Sequence, residues 1–455
     1  MLKTAIIGPT NLHLRIMKKI EITHPDAREG FSTGAFPAGV MADGWLYVSG
    51  QGPINFAQGE FVPGNLTATQ SGLVKGVGRN SVVAKVPITV NTDWFFVKNT
   101  DEIDSPALLI YPKRVEKNIQ TALQLVGGAA RLRPHVKTHK ITEVAELLLA
   151  AGIRQFKCAT IAEAEMLALV HAPDVLLAYP PVGPKAARLA ALTQAFPETR
   201  FSCLIDAVET ARHLNQTFAG QAIDVYIDLN VGMNRTGVQP ANAGVLFEAC
   251  QPFSNLNVAG LHAYDGHIHD TDLALRRQQA DTVYAMAEIA RQTIHEKFGR
   301  ILPMVIGGTP TFVLHAKRNG VQVSPGTFVF WDAGYARLLP DLPFNCAAVL
   351  LTRVISIIDQ QTLCLDLGHK SVAAENPLPR VQFLNVPDAE QLRQSEEHLV
   401  VRVADTRQHS VGEVWYAVPV HVCPTVALYE AVFVIEDGFF TKKWQVIARN
   451  RQIRF

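Results

Sequence analysis

The sequence predicts an α/β chain: a (β/α)8 barrel of the TIM type, then a mostly β C-terminal domain, with a partial α+β segment in front. Three observations carry this. Short apolar runs alternate with helical stretches across residues 92–344. Alternating and β-branched runs take over across 345–455. Residues 1–91 show neither pattern.

Residues 107–110 read as a strand and 112–125 as a helix. Strand-like runs follow at 132–137, 155–159, 175–178, 201–205, 225–230, 258–262, 304–306 and 321–323. Helical stretches such as 161–170, 207–214 and 272–297 lie between them. Such short apolar runs suit buried parallel strands. Eight of them with intervening helices fit a closed barrel; an open doubly wound sheet is the alternative. In a barrel the chemistry gathers at the C-terminal strand ends, here Lys137, Thr160, Tyr179, Asp206, Arg235, Tyr264, Gly307 and Gly326. Beyond 345, the runs 349–358, 363–366, 399–403, 415–420 and 429–434 predict the β domain, with residues 93–110 able to pack against it.

Composition narrows the function classes. The 42 Lys plus Arg balance 41 Asp plus Glu, so nucleic acid is not implied as a partner. No apolar run approaches the roughly 20 residues of a membrane span, and the opening apolar stretch is too short for a secretory signal. Cys158, Cys203, Cys250, Cys346, Cys364 and Cys423 have no paired spacing. That pattern fits reduced thiols and a cytoplasmic protein.

The stretch Arg133-Pro-His-Val-Lys-Thr-His-Lys140 puts Lys137 at the predicted end of the first barrel strand. A free lysine has a pKa of about 10.4, and burial or a nearby cation is needed before its amine serves as nucleophile or base. His135, His139 and Lys140 are neighbours of that kind; a basic surface turn is the competing reading. Gly307-Gly308-Thr309 after the seventh strand and Ser324-Pro-Gly326-Thr327 after the eighth supply backbone N–H groups and hydroxyls suited to a phosphate. Arg235, between Gly232 and Gly237, can pair with a carboxylate or a phenolate, or remain a solvated loop cation. His421-Val-Cys423 reads as an extended segment that turns an imidazole and a thiol to one side. Nitrogen plus sulfur suits zinc, and two protein ligands leave positions open for water and substrate; packing is the competing reading and the commoner one for a lone His-x-Cys.

From residue 93 to the end the chain resembles the D-threonine aldolase and D-serine dehydratase family, fold-type III pyridoxal phosphate enzymes related to alanine racemase. The matching stretches, in order, are Arg133 to Lys140, Phe156-Lys-Cys-Ala-Thr160, Gly232-Met-Asn-Arg-Thr-Gly237, Gly307-Gly-Thr-Pro-Thr311, Ser324-Pro-Gly-Thr327 and His421-Val-Cys-Pro424. The resemblance implies that Lys137 forms the Schiff base with pyridoxal 5'-phosphate. It implies that Gly307, Gly308, Thr309, Gly326 and Thr327 hold the phosphate, with Arg235 near the phenolic oxygen or substrate carboxylate and Tyr264 against the ring. His421 and Cys423 would bind a divalent metal, zinc first, with manganese or magnesium as alternatives. Ser324 stands where racemases carry an arginine for the pyridine nitrogen, a weak argument against racemase chemistry.

The implied activity is a lyase acting on small D-3-hydroxy amino acids. Cys423 favours dehydration to an oxo acid and ammonia, as in D-serine or D-threonine dehydratases; retro-aldol cleavage to glycine and an aldehyde is the alternative. An alanine-type racemase and a non-catalytic cofactor carrier follow behind. A homodimer is implied by the resemblance alone. Separately, residues 31–70, around Ser49-Gly-Gln-Gly-Pro53, resemble the first half of a reactive intermediate deaminase. That family's later catalytic residues have no counterpart, so 1–91 is expected to be an inactive, truncated fragment and junction.

Overall fold

The computed structural model describes residues 94–455, together with the backbone of four short strands nearer the N-terminus. The chain divides into the units Met1–Ala84 and Lys85–Phe455. In the first, β1 (Val40–Ala42), β2 (Trp45–Tyr47), β3 (Ile54–Asn55) and β4 (Glu60–Phe61) pair antiparallel in sequence order. Apart from these strands, the expectation for a deaminase-like fragment lies outside the described residues.

The second unit opens with β5 (Ala107–Ile110) and helix α1 (Pro112–Val126). Pro112 starts the helix where its missing N–H costs nothing, and Gly127 ends it at φ +78°. The barrel follows: α2 (Thr142–Ala150), β6 (Gln155–Cys158), α3 (Ile161–Leu169), β7 (Asp174–Leu177), α4 (Pro184–Ala195), β8 (Arg200–Ile205), α5 (Val208–Thr217), β9 (Ile223–Leu229), α6 (Ala243–Cys250), β10 (Leu256–Ala263), α7 (Leu273–Phe298), β11 (Met304–Ile306), α8 (Phe312–His315) and β12 (Val321–Val323). Strands β6 to β12 form one parallel sheet in sequence order.

The eighth position is the extended segment from Leu132 to His135. It bridges β12 on one side (Leu132 with Val323) and β6 on the other (His135 with Lys157). Backbone bonds from Arg133 N to Val323 O and from Lys157 N to Pro134 O, both 2.9 Å, close the barrel. At this seam the buried Arg133 guanidinium meets Asp174 at 2.5 Å and Gln322 at 2.8 Å. The inside holds a small apolar plug of Leu176, Leu204, Tyr226 and Val305, while the larger core lies between strands and helices. Among the described residues no helix is long and apolar enough to cross a membrane.

The first strand departs from expectation. Extended backbone was expected through Lys137, but the chain turns into a 3-10 helix over Val136–Thr138 because His135 Nδ1 accepts the N–H of Lys137 at 3.3 Å.

After α9 (Ala333–Leu338) come β13 (Ala348–Ile357), β14 (Thr362–Leu365), β15 (Val381–Phe383), β16 (Glu390–Gln394), β17 (Leu399–Arg402), β18 (Val414–Pro419), α10 (Val422–Leu428), β19 (Ala431–Glu436) and β20 (Phe439–Gln445). The order β16-β17-β14-β13-β5-β19-β20, with β18 joining β13 to β15, places the fully buried β5 between β13 and β19. A strand that precedes the barrel in sequence is thereby paired into the C-terminal sheet.

Candidate active site

Four segments from the barrel mouth and one from the C-terminal domain converge. Lys137 leaves the 3-10 turn half-buried, its Nζ 5.7 Å from the centre of the Tyr264 ring. Arg235 approaches the same ring with its guanidinium carbon at 5.1 Å. The Arg235 loop is shaped by Asn230, whose Oδ1 accepts the N–H groups of Gly232 and Asn234 at 3.2 and 3.1 Å. Gly237 at φ +102° lets the chain fold back on Asn230, where a Cβ would collide with backbone at 2.6 Å.

The two glycine turns sit opposite. Gly307 lies at φ +83°, and a Cβ on Gly308 would press on the Tyr264 ring at 3.0 Å. At Gly326 a Cβ would meet the His135 carbonyl at 2.9 Å and Thr138 Oγ1 at 3.1 Å. Thr309 Oγ1 accepts weak bonds from the N–H groups of Gly326 and Thr327, each 3.3 Å, which links the seventh- and eighth-strand loops. Ser324 Oγ donates to the Arg133 carbonyl at 2.7 Å, so this hydroxyl serves the barrel seam.

His421 and Cys423 are close, but not on an extended strand as expected. His421 is the residue before α10, and Cys423 lies in that helix's first turn. The following Pro424 is tolerated there because first-turn N–H groups have no intrahelical acceptor. Half-buried Cys423 contacts Thr138 Oγ1 at 3.1 Å and Thr327 Oγ1 at 3.5 Å, both beside predicted cofactor residues. Burial opposes ionisation of this thiol, but His421 and the two threonine hydroxyls lower its pKa. Burial likewise opposes the His421 cation, yet Cys423 and then Glu375 raise the imidazole to about 9. Glu375 bonds His421 Nδ1, so Nε2 is the ring nitrogen that would ligate once a metal displaces its proton. Such a carboxylate orients a metal-binding imidazole.

Of the remaining strand-end positions, Thr160 caps α3, Tyr179 is exposed against Lys185, and Asp206 accepts the Gly237 N–H at 3.1 Å. Three residues without an individual role in the sequence reading also belong here. Asp228 accepts from His262 Nδ1 at 2.7 Å and from Thr236 Oγ1 at 2.8 Å. Burial opposes its charge, but these bonds hold its carboxyl below the usual range. Lys157, buried in the barrel, brings its Nζ to 5.7 Å from the Tyr264 ring. Its signal was a lysine within an otherwise apolar strand.

The model for the alanine racemase N-terminal domain matches residues 110–333, and that for a putative serine dehydratase domain matches 347–435. The chain is 30% identical over 361 residues to D-threonine aldolase from an Arthrobacter species, covering 76% of this chain and 93% of that protein. The chain belongs to the D-threonine aldolase and D-serine dehydratase family.

The family includes the D-threo-3-hydroxyaspartate dehydratase of a Delftia strain, 30% identical over 248 residues, covering 50% of this chain and 62% of that protein. The crystal structure of D-threonine aldolase from Filomicrobium marinum superposes with a TM-score of 0.71 at 28% identity, covering 78% of this chain and 98% of that one. A cysteine-to-alanine mutant of a D-threo-3-hydroxyaspartate dehydratase, in the metal-free form, shares the fold with a TM-score of 0.67 at 22% identity, covering 75% of this chain and 97% of that one.

The residues present fit what this family carries. Two lysine amines and a guanidinium around one aromatic ring, beside glycine turns that exclude a Cβ, suit a phosphate-bearing aromatic cofactor. The imidazole and thiol suit a soft divalent ion. Among the described residues no group of three or more His, Cys, Asp or Glu gathers to hold a metal, so these two donors leave coordination positions to other ligands.

Proposed function

We propose that the protein is a pyridoxal phosphate- and divalent metal-dependent lyase of small D-3-hydroxy amino acids, with dehydration as its reaction. One observation carries this: Cys423 contacts Thr138, the residue after Lys137, so a metal ligand pair from the C-terminal domain stands beside the cofactor lysine. We place the cofactor-binding barrel at 92–344 and the metal-bearing domain at 345–455.

When bound, the cofactor supplies an electron sink at the substrate's α-carbon and the metal supplies a Lewis acid. Lys137 Nζ would hold the cofactor and, as a free amine, would take the α-proton. Gly307, Gly308, Thr309, Gly326 and Thr327 receive the phosphate, Tyr264 covers the ring, and Arg235 pairs with the phenolic oxygen or the substrate carboxylate. His421 and Cys423 would hold the ion, which would act as a Lewis acid on the 3-hydroxyl, zinc being favoured by the sulfur donor.

The second reading, retro-aldol cleavage, is favoured by the near full-length similarity to D-threonine aldolase. It requires a base at the hydroxyl proton in place of Lys137 at the α-proton. Incubation with D-serine and D-threonine separates the two. Pyruvate and 2-oxobutanoate support dehydration; glycine with acetaldehyde from D-threonine overturns it in favour of the aldolase. We take the protein to be cytoplasmic, in keeping with six unpaired cysteines, and a homodimer on resemblance alone.

A further inference from the structure

We propose that Lys157 is a second, cofactor-responsive amine: uncharged while the site lacks cofactor, and protonated once a phosphate-bearing aldehyde is bonded to Lys137, so that it supplies buried positive charge beneath the cofactor. This inference rests on the cofactor reading above and extends it to a residue outside the implied cofactor set.

The placement is fixed by the barrel seam. Lys157 N donates to Pro134 O, and its backbone bridges His135, two residues before Lys137. Its side chain is 2% exposed, and its Nζ lies as far from the Tyr264 ring centre, 5.7 Å, as does that of Lys137. Two amines therefore flank one ring. Among the described residues no side chain or carbonyl hydrogen-bonds the Lys157 amine. Of the nearby carboxylates, Asp228 bonds His262 and Thr236, while Asp265 bonds His315 Nε2 through Oδ2 at 2.9 Å and keeps a buried Oδ1 without a hydrogen bond. The charged and titratable groups that face it are Lys137, Arg133, His135 and His262 on the cationic side and Asp265 and Asp228 on the anionic.

A buried ammonium without a partner is costly, and the site resolves that cost by lowering its pKa. Burial first, and the Lys137 charge second, bring Lys157 from 10.5 to about 7. The second cause disappears on cofactor attachment. The Lys137 ammonium gives one proton to solvent, its nitrogen bonds the aldehyde carbon, the carbon–oxygen bond breaks and one water leaves, a release common to the wild type and the variants below. An isolated cation is thereby replaced by a group bearing a phosphate and a phenolic oxygen, whose net charge is negative. Both changes favour a proton on Lys157, which is drawn from solvent.

The test counts protons. Pyridoxal 5'-phosphate is added to the full chain freed of cofactor, in weak buffer at about pH 8, where a group with a pKa near 7 is mostly neutral, and uptake is read with an indicator dye. The wild type should take up close to one proton per chain more than Lys157→Met. Lys157→Arg, charged throughout, should match Lys157→Met in proton count while retaining tighter cofactor binding. Equal uptake by wild type and both variants, all of them binding cofactor, overturns the inference. Should Lys157→Met fail to fold, the comparison with Lys157→Arg decides it alone. Borohydride reduction with peptide mapping separates the two levels: no label on Lys137 in the wild type removes the cofactor reading, whereas a labelled Lys137 with equal proton counts removes only the role of Lys157.

Discussion

Cys423 Sγ lies 3.1 Å from Thr138 Oγ1, and this contact joins the C-terminal domain to the turn that carries Lys137. The thiol also reaches Thr327 Oγ1, so one sulfur touches two of the loops expected to receive the cofactor. Cys423→Ala should therefore lose bound metal and turnover while keeping the colour of bound cofactor. Metal analysis beside an absorbance spectrum checks it. Full activity after dialysis against chelator would remove the metal from the scheme.

Lys137→Ala should abolish the borohydride-stable attachment of cofactor and lower turnover by several orders of magnitude, since one amine acts as tether and base. Near-normal turnover in this variant would defeat the assignment.

Much of the barrel is legible in sequence because each strand is a short apolar run whose neighbours break it, and 225–230 or 304–306 cannot be confused with the long periodic stretch at 272–297. Two local features were hidden. The turn at Val136–Thr138 depends on a side-chain bond from His135 that no periodicity encodes. At 421–424 Pro424 was read with extended chain, although in α10 it occupies a first-turn position. The strands Glu390–Gln394 and Phe439–Gln445 lack apolar alternation because neither buries a face: the first has no buried residue and the second is mostly exposed. Lys157 stands in a motif, yet its burial comes from pairing with the barrel segments on either side, at His135 and Leu176, which the motif does not encode.

Asp332 should prove to be the post that holds the metal turn. Its Oδ1 accepts the N–H of Tyr335 at 2.8 Å, and its Oδ2 accepts that of Val422, the residue between His421 and Cys423, at 3.0 Å. Burial raises this carboxyl to about 6 against the pull of those two bonds. Asp332→Ala leaves both N–H groups unpaired and should cost about 2 kcal/mol of stability. Metal affinity should fall with it while cofactor attachment persists. Unchanged metal affinity, measured by competition with a chelating dye, would show that the turn holds itself.

The buried amine of Lys157 also predicts how stability varies with pH in the cofactor-free protein. Its pKa is about 7 in the folded chain against an ordinary 10.5. Folding thus disfavours the protonated form, and the sign follows from linkage. Above about 10.5 the amine is neutral in both states and imposes no charge penalty. As pH falls the unfolded chain binds the proton first, so stability declines, and below about 7 the full penalty is present. The shift corresponds to an upper bound of about 5 kcal/mol. Lys157→Met should consequently be more stable than the wild type at neutral pH, by an amount that shrinks as pH rises toward 10. Denaturant midpoints of the two proteins at pH 7 and pH 9.5 make the comparison, the difference between them cancelling groups that titrate alike in both. A gap that stays constant, or widens with pH, would mean that Lys157 keeps its proton in the folded chain through a partner strong enough to offset burial.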